Sequence, residues 1–155
     1  MTYRIPGLSP SLFQSLFGRS DIELARRGAL RVAVDQPASA PCRITLDDAS
    51  PGETVLLLNY EHLAVDTPYR SRHAIYVREA AQQASVYEDE VPPALSRRLL
   101  SLRGFDASDM MIDANVVEGA VAEGLIRRLL DDPRTAYIHA HFARRGCFAA
   151  RIERG

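Results

Sequence analysis

Lysine is absent from this chain. All 19 basic side chains of its 155 residues are arginine. Schiff-base chemistry, pyridoxal phosphate anchoring and the phosphate-loop lysine all require a primary side-chain amine, so those classes are closed off. Tryptophan is absent and there are two cysteines, Cys42 and Cys147, with no C-x-x-C spacing. G-x-G-x-x-G, G-x-S-x-G and H-E-x-x-H are missing too, which removes most well-marked nucleotide, esterase and metalloprotease sites. The formal net charge of −1 lacks the positive excess that sequence-independent nucleic-acid binding requires. No uninterrupted apolar run exceeds four residues, the length of Val55 to Leu58, far short of a membrane span. The N-terminus carries Arg4, Pro6 and Pro10 where a secretion signal needs an apolar stretch. A cytoplasmic location is expected, with both cysteines reduced.

What is present reads as one α+β domain over 1–155, of ordinary apolar and charged content. Two short helices open it. Ser9 and Pro10 suit an N-cap and first helical position, and Ser20 with Glu23 has capping-box spacing; Gly18 and Gly28 suit the stops. Strands are expected at 30–34, 42–46, 54–62, 73–77, 99–105, 110–117 and 135–142, in a mixed, mostly antiparallel sheet of about seven strands. Pro51-Gly52 fits the centre of a type II turn before strand 54–62. The stretch from Glu79 to Pro93 reads as a loop. One long helix is expected over 118–131, where Val121, Leu125 and Leu129 recur at helical spacing. It links strands 110–117 and 135–142 as a βαβ unit.

The chemistry gathers near the C-terminus. "YIHAHFARRGCFAARIER" spans 137–154 and reads as a β-hairpin (135–153) with Arg144 and Arg145 in a type I turn and Gly146 in the left-handed position. That register sets Ile138, Ala140 and Phe142 opposite Ile152, Ala150 and Phe148 on a core face. Tyr137, His139, His141, Cys147, Arg151 and Glu153 share the other face. His139 then lies opposite Arg151, and His141 diagonal to Cys147, with Cβ separations of roughly 5 and 7 Å.

Four readings of that face stay open. His139 and Arg151, with Tyr69, Arg70 and Arg103 as further lining, would bind a small anionic molecule, because guanidinium presents a planar donor fork. Cys147 would act as a nucleophilic or redox thiol with His141 as its base. His139, His141 and Cys147 would bind zinc or iron, given a fourth partner from His73, His62 or Cys42 or an open water position. Or the face packs without chemistry, as a homodimer or partner interface. Elsewhere, Arg103 is placed to pair with Asp106, and Asp113 shares a strand face with Asn115. No cofactor is named by any motif.

With these stretches assembled, the chain resembles a bacterial family known as domain of unknown function 1203. The resemblance rests on "PCRITLDDASPGE", "DTPYRSRHAIYVRE", "RRLLSLRGFDASDMMIDANVVEG" and "YIHAHFARRGCFAARIER", and covers nearly the whole chain. The chain departs from the family pattern at Phe142, where an asparagine is common. The resemblance implies a small single domain and carries no activity with it.

Overall fold

The computed structural model describes residues 1–155 and bears out the α+β class, the C-terminal hairpin and the long helix. The strands are β1 (Tyr3–Pro6), β2 (Leu30–Ala33), β3 (Thr54–Leu63), β4 (Ser71–Arg78), β5 (Val86–Glu88), β6 (Leu99–Phe105), β7 (Met111–Glu118), β8 (Tyr137–Phe142) and β9 (Phe148–Arg154). The helices are α1 (Asp21–Arg26), α2 (Pro93–Ser96) and α3 (Ala122–Asp131), with a 3-10 turn at Gly119–Val121 leading into α3. Six strands form one sheet in the order β5-β1-β9-β8-β6-β7, and three form a second in the order β2-β3-β4. Every strand pairing is antiparallel.

Local chemistry explains most of these elements. Ser20 and Glu23 form the reciprocal capping box that starts α1, satisfying two otherwise orphaned backbone donors. Ser9 caps the first turn with Pro10 behind it. Gly52 holds its turn at φ +93°, the left-handed value that a type II turn needs. In α3 the buried face is Ala122, Ile126, Leu129 and Leu130; of the expected stripe only Leu129 is fully buried, because Val121 is exposed in the 3-10 turn that precedes the helix and Leu125 lies at the margin. It packs with Leu100, Leu102, Ile138, Ala140 and Ile152 of β6, β8 and β9 in the larger of the cores. A second core joins Leu56, Leu58, Ile75 and Val77 of the small sheet to Phe13 and Leu24.

Three expectations change. Residues 42–46 are not a strand: the chain turns there, with the Leu46 amide donating to the Cys42 carbonyl and only isolated bridges on either side. Leu46 sits at φ +57°, outside any strand conformation. The loop assigned to 79–93 contains β5, which pairs with β1 on the sheet edge. Both are short, and a three- or four-residue strand leaves too little alternation to detect. The strands also divide between two sheets. Strand β7 and strand β8 each run antiparallel to β6, so they are parallel to one another with β6 between them. The βαβ unit therefore exists, with a strand inserted into it.

The division into two sheets creates the site. One face of the large sheet is covered by α3. Its other face, at Tyr137, His139 and His141 of β8, meets the C-terminal end of β3. All six residues of β8 are buried as a result.

A candidate metal centre of three histidines

Two β-bulges aim the side chains. In β3 the register slips between Tyr60 and Leu63, where Tyr60 opposes His73 and Leu63 opposes Ser71. Three steps on β3 thus match two on β4, and His62 falls within the irregularity. Such an extra residue bends a strand and redirects its side chains. In the β8–β9 hairpin, Ile138, His139 and Ala140 pair with Ile152, Arg151 and Ala150 as the sequence indicates, and then the register slips so that Phe148 opposes His141. The Phe142 amide donates to the Cys147 carbonyl and the Gly146 amide to the Phe142 carbonyl, with Gly146 at φ +81°. The hairpin loop is thus one residue longer than expected, and the bulge restores the alternation beyond it.

That slip swaps two side chains. Phe148 moves onto the histidine face, where its ring lies parallel to His62 (5.0 Å, 5°) and edge-on to His139 (5.1 Å). Cys147 moves to the opposite face and packs with Phe142 in the main core. The expected Cys147–His141 pair is therefore not formed. The Cys147 sulfur instead accepts from Arg43 Nη2 at 3.2 Å.

What does converge is His62, His139 and His141. One ring nitrogen from each lies within 4.8 Å of the others. His139 and His141 are 2% and 3% exposed, and His62 is half-buried. Imidazole nitrogens on one tetrahedral zinc, each about 2.1 Å from it, stand about 3.4 Å apart. The separations exceed that by about 1.4 Å at most, a gap that ring rotations and small backbone shifts close. The Nδ1 atoms of His62 and His139 are buried without a hydrogen-bond partner, an unfavourable state for a polar group unless something binds there. His141 Nδ1 donates to the Gly146 carbonyl at 2.9 Å. A carbonyl on one nitrogen fixes the tautomer and leaves Nε2 as the free lone pair, the usual outer support of a ligating histidine.

All three imidazoles are held neutral. Burial, then the neighbouring His141 and His62 and the charges of Arg151 and Arg103, push His139 down to about 3. Burial pushes His141 to about 3, against the opposing pull of the Gly146 carbonyl. Burial, His73 and Arg103 bring His62 to about 4, with the Tyr60 carbonyl opposing. A neutral imidazole is the form that binds a metal.

The remaining candidates distribute around this cluster. Arg103 lies directly across from His139, and Ser101 across from His141. Arg103 does not pair with Asp106, whose carboxylate caps the Ser108 and Met110 amides. Its Nε donates to Ser101 Oγ at 3.2 Å, and burial pushes its pKa down. Arg151 lies across from His139 on the other side, exposed, over the Tyr137 ring at 3.9 Å and paired with Glu153. Tyr69 packs edge-on to Phe105 beside Leu63 and Tyr137, at the border of the cluster. Arg70 is exposed on its loop, 3.9 Å from Glu61. Cys42 lies in the small-sheet core, its sulfur accepting from the Ile44 and Arg78 amides. Asp113 pairs with Arg128 on the edge strand.

These features define a two-sheet α+β protein with a histidine cluster closed between its sheets. The chain belongs to the DUF1203 family of proteins of unknown function, whose model matches residues 39–154. All three histidines and Arg103 fall inside that match. No curated protein and no solved structure matches the chain. No helix is long and apolar enough to cross a membrane.

Proposed function

We propose that the protein binds a divalent transition-metal ion, zinc or iron, through His62, His139 and His141, leaving a fourth position for an anionic ligand beside Arg103. The observation that carries this reading is the convergence of three neutral imidazoles, two of them with buried, unpartnered nitrogens. Imidazole suits zinc and iron, and three protein ligands with one open position is the arrangement of reactive zinc sites. Phe148 and the Phe105–Tyr137 stack give the site an apolar wall, which strengthens every electrostatic interaction inside it.

Arg103 is the partner that the metal charge calls for. Its guanidinium meets a serine hydroxyl and no carboxylate. A cation bound at the histidines would be opposed by that charge, whereas an anion in the fourth position is attracted to both. The small anionic ligand expected from the sequence thus finds its support here, with Arg103 in contact and Arg151 further out. The histidine face as a surface for a second copy is not supported, because β3 of the same chain covers it.

The test is metal analysis of protein purified without a histidine tag, followed by titration with cobalt(II) and zinc(II). About one metal per chain is expected, with the intense visible absorption of low-symmetry cobalt. The His139→Ala and His141→Ala variants each lose at least about a hundredfold in affinity. A protein that arrives metal-free and stays so after zinc and cobalt addition overturns the reading.

A further inference from the structure

A cleft opens beside the turn of the hairpin, and none of the three clustered histidines lines it. It has a volume of about 630 Å³ and lies between β4 of the small sheet and the turn of the β8–β9 hairpin. That is an ordinary size for a small-molecule site. Five guanidinium groups line it, from Arg43, Arg97, Arg98, Arg144 and Arg145, against one carboxylate, Glu118.

The five arginines do different things. Arg97 and Arg98 are held by Asp48, which lies at 2.9 and 2.6 Å from them. Arg43 is buried at the floor. Its Nε donates to the Phe148 carbonyl, Nη1 to the Pro41 carbonyl and Nη2 to the Cys147 sulfur. No carboxylate meets it, although a buried guanidinium ordinarily has one. Arg144 and Arg145, at the tip of the hairpin, are exposed and held by no acidic side chain. Gly146 closes the turn behind them in its left-handed conformation, which sets their backbone at the tip. Three guanidinium charges without a carboxylate partner therefore face one cleft.

Apart from Ser39 and His73, the rest of the wall is apolar and partly aromatic. Phe142 carries two guanidinium groups near its ring, Arg43 at 4.9 Å and Arg98 at 5.2 Å, and Tyr76 stands on the other wall. Guanidinium forks match tetrahedral oxyanions bidentately. An aromatic wall rewards a flat organic body.

We propose that this cleft binds a small organic phosphate monoester: a dianionic head held by Arg144 and Arg145 above Arg43, and a ring-bearing body against Tyr76. This reading does not rest on the metal, because none of His62, His139 and His141 lines the cleft; His73, which does line it, is the residue through which the two places neighbour one another.

Phenyl phosphate is the probe, titrated by calorimetry into full-length protein stripped of metal with a chelator. Saturable binding is expected, weakened at least about tenfold in the Arg144→Ala/Arg145→Ala double variant. It weakens with added salt, as a charge-driven contact must. Both arginines are exposed, so the variant keeps its fold, which far-ultraviolet circular dichroism verifies. Binding that persists in His62→Ala/His139→Ala protein separates this site from the metal centre. Three results overturn the proposal: no binding up to about 10 mM, equal binding by the arginine variant, or inorganic phosphate binding as tightly as the ester.

Discussion

The β8–β9 hairpin has nitrogen bases on both sides, and they meet burial in opposite ways. On one side His139 and His141 sit among Phe105, Tyr137 and Phe148 and give up their protons. On the other, Arg43 is as deeply buried beside Phe142 and Cys147. Burial pushes its pKa down too, opposed by the nearby Cys147 and Cys42 sulfurs, but guanidinium starts so high that it keeps its charge. It must instead recruit acceptors, and it finds two carbonyls and a sulfur. Intrinsic basicity decides the outcome. A buried imidazole becomes a lone-pair donor suited to a cation, and a buried guanidinium remains a cation suited to an anion. One hairpin therefore carries both proposed sites, and they differ in the charge they would attract.

The largest test of this contrast is acid. The folded pKa of His139 and of His141 is about 3, below the ordinary 6.5 of the unfolded chain. Above pH 6.5 both states are neutral and stability is complete. As pH falls from 6.5 toward 3, the unfolded chain takes up protons that the folded one refuses, and stability drains away. At pH 5 each of the two costs about 2 kcal/mol, by the linkage of 1.36 kcal/mol per unit. Denaturant melts of metal-free protein between pH 7.5 and 4.5 measure it. His62, at about 4, adds a similar share, so a His139→Phe/His141→Phe variant should remove about two thirds of the dependence of the three histidines. Added zinc should raise stability at pH 7.5 and lose that gain in acid, as protons displace the metal. A profile unchanged by the double replacement would mean that other groups set the acid limit.

Arg43→Met examines the other side. Methionine fills much of the space yet leaves the Pro41 and Phe148 carbonyls without their buried donor. The expected loss is about 3 kcal/mol, the scale for stranding buried polar groups. Because the arginine has no titration in the working range, the loss should be the same at pH 5 and pH 7.5. A cost that grows in acid would instead tie Arg43 to the histidine side through the Phe148 carbonyl.

Much of this arrangement was legible in the residues. The caps at Ser9 and Ser20, the turn at Gly52 and the presence of α3 follow from local chemistry, and local chemistry is what a sequence displays. The stripe read from the spacing of α3 runs off its true face at Val121, which lies exposed in the turn before the helix. The hairpin stem from Ile138 to Ala140 was legible for the same reason, since period-two alternation admits one register there. The two bulges were not. An extra residue in a strand leaves the composition unchanged, so alternation read through it assigns Phe148 and Cys147 to the wrong faces. His62 shows a further limit: "NYEH" marks it as a polar end to an apolar strand, and it stood among the possible fourth ligands. Its arrival beside His139 depends on how the two sheets meet, which no pattern within either strand encodes. The arginine cleft was invisible for that reason as well, since its walls come from separate segments of the chain.

The smallest effect falls on the residue the two sides share. Gly146 offers its carbonyl to His141 and passes the chain to Cys147, at φ +81°, and no neighbouring atom lies within 4 Å of the place a Cβ would occupy. Steric crowding with neighbours is therefore not at issue in Gly146→Ala, and only the backbone conformation is. An L-residue in the left-handed region costs about 1 kcal/mol, partly regained by the stiffer unfolded chain. Asparagine tolerates that region better than alanine, so Gly146→Asn should recover part of the loss. If alanine costs nothing, or asparagine costs as much as alanine, the turn relaxes out of its left-handed geometry. In that event His141 loses its carbonyl anchor and Arg43 its sulfur together, and zinc and phenyl phosphate affinities should fall in the same variant. If the strain account holds, stability drops by the stated amount while both affinities stay where they were, because the turn keeps its shape and only its cost has risen.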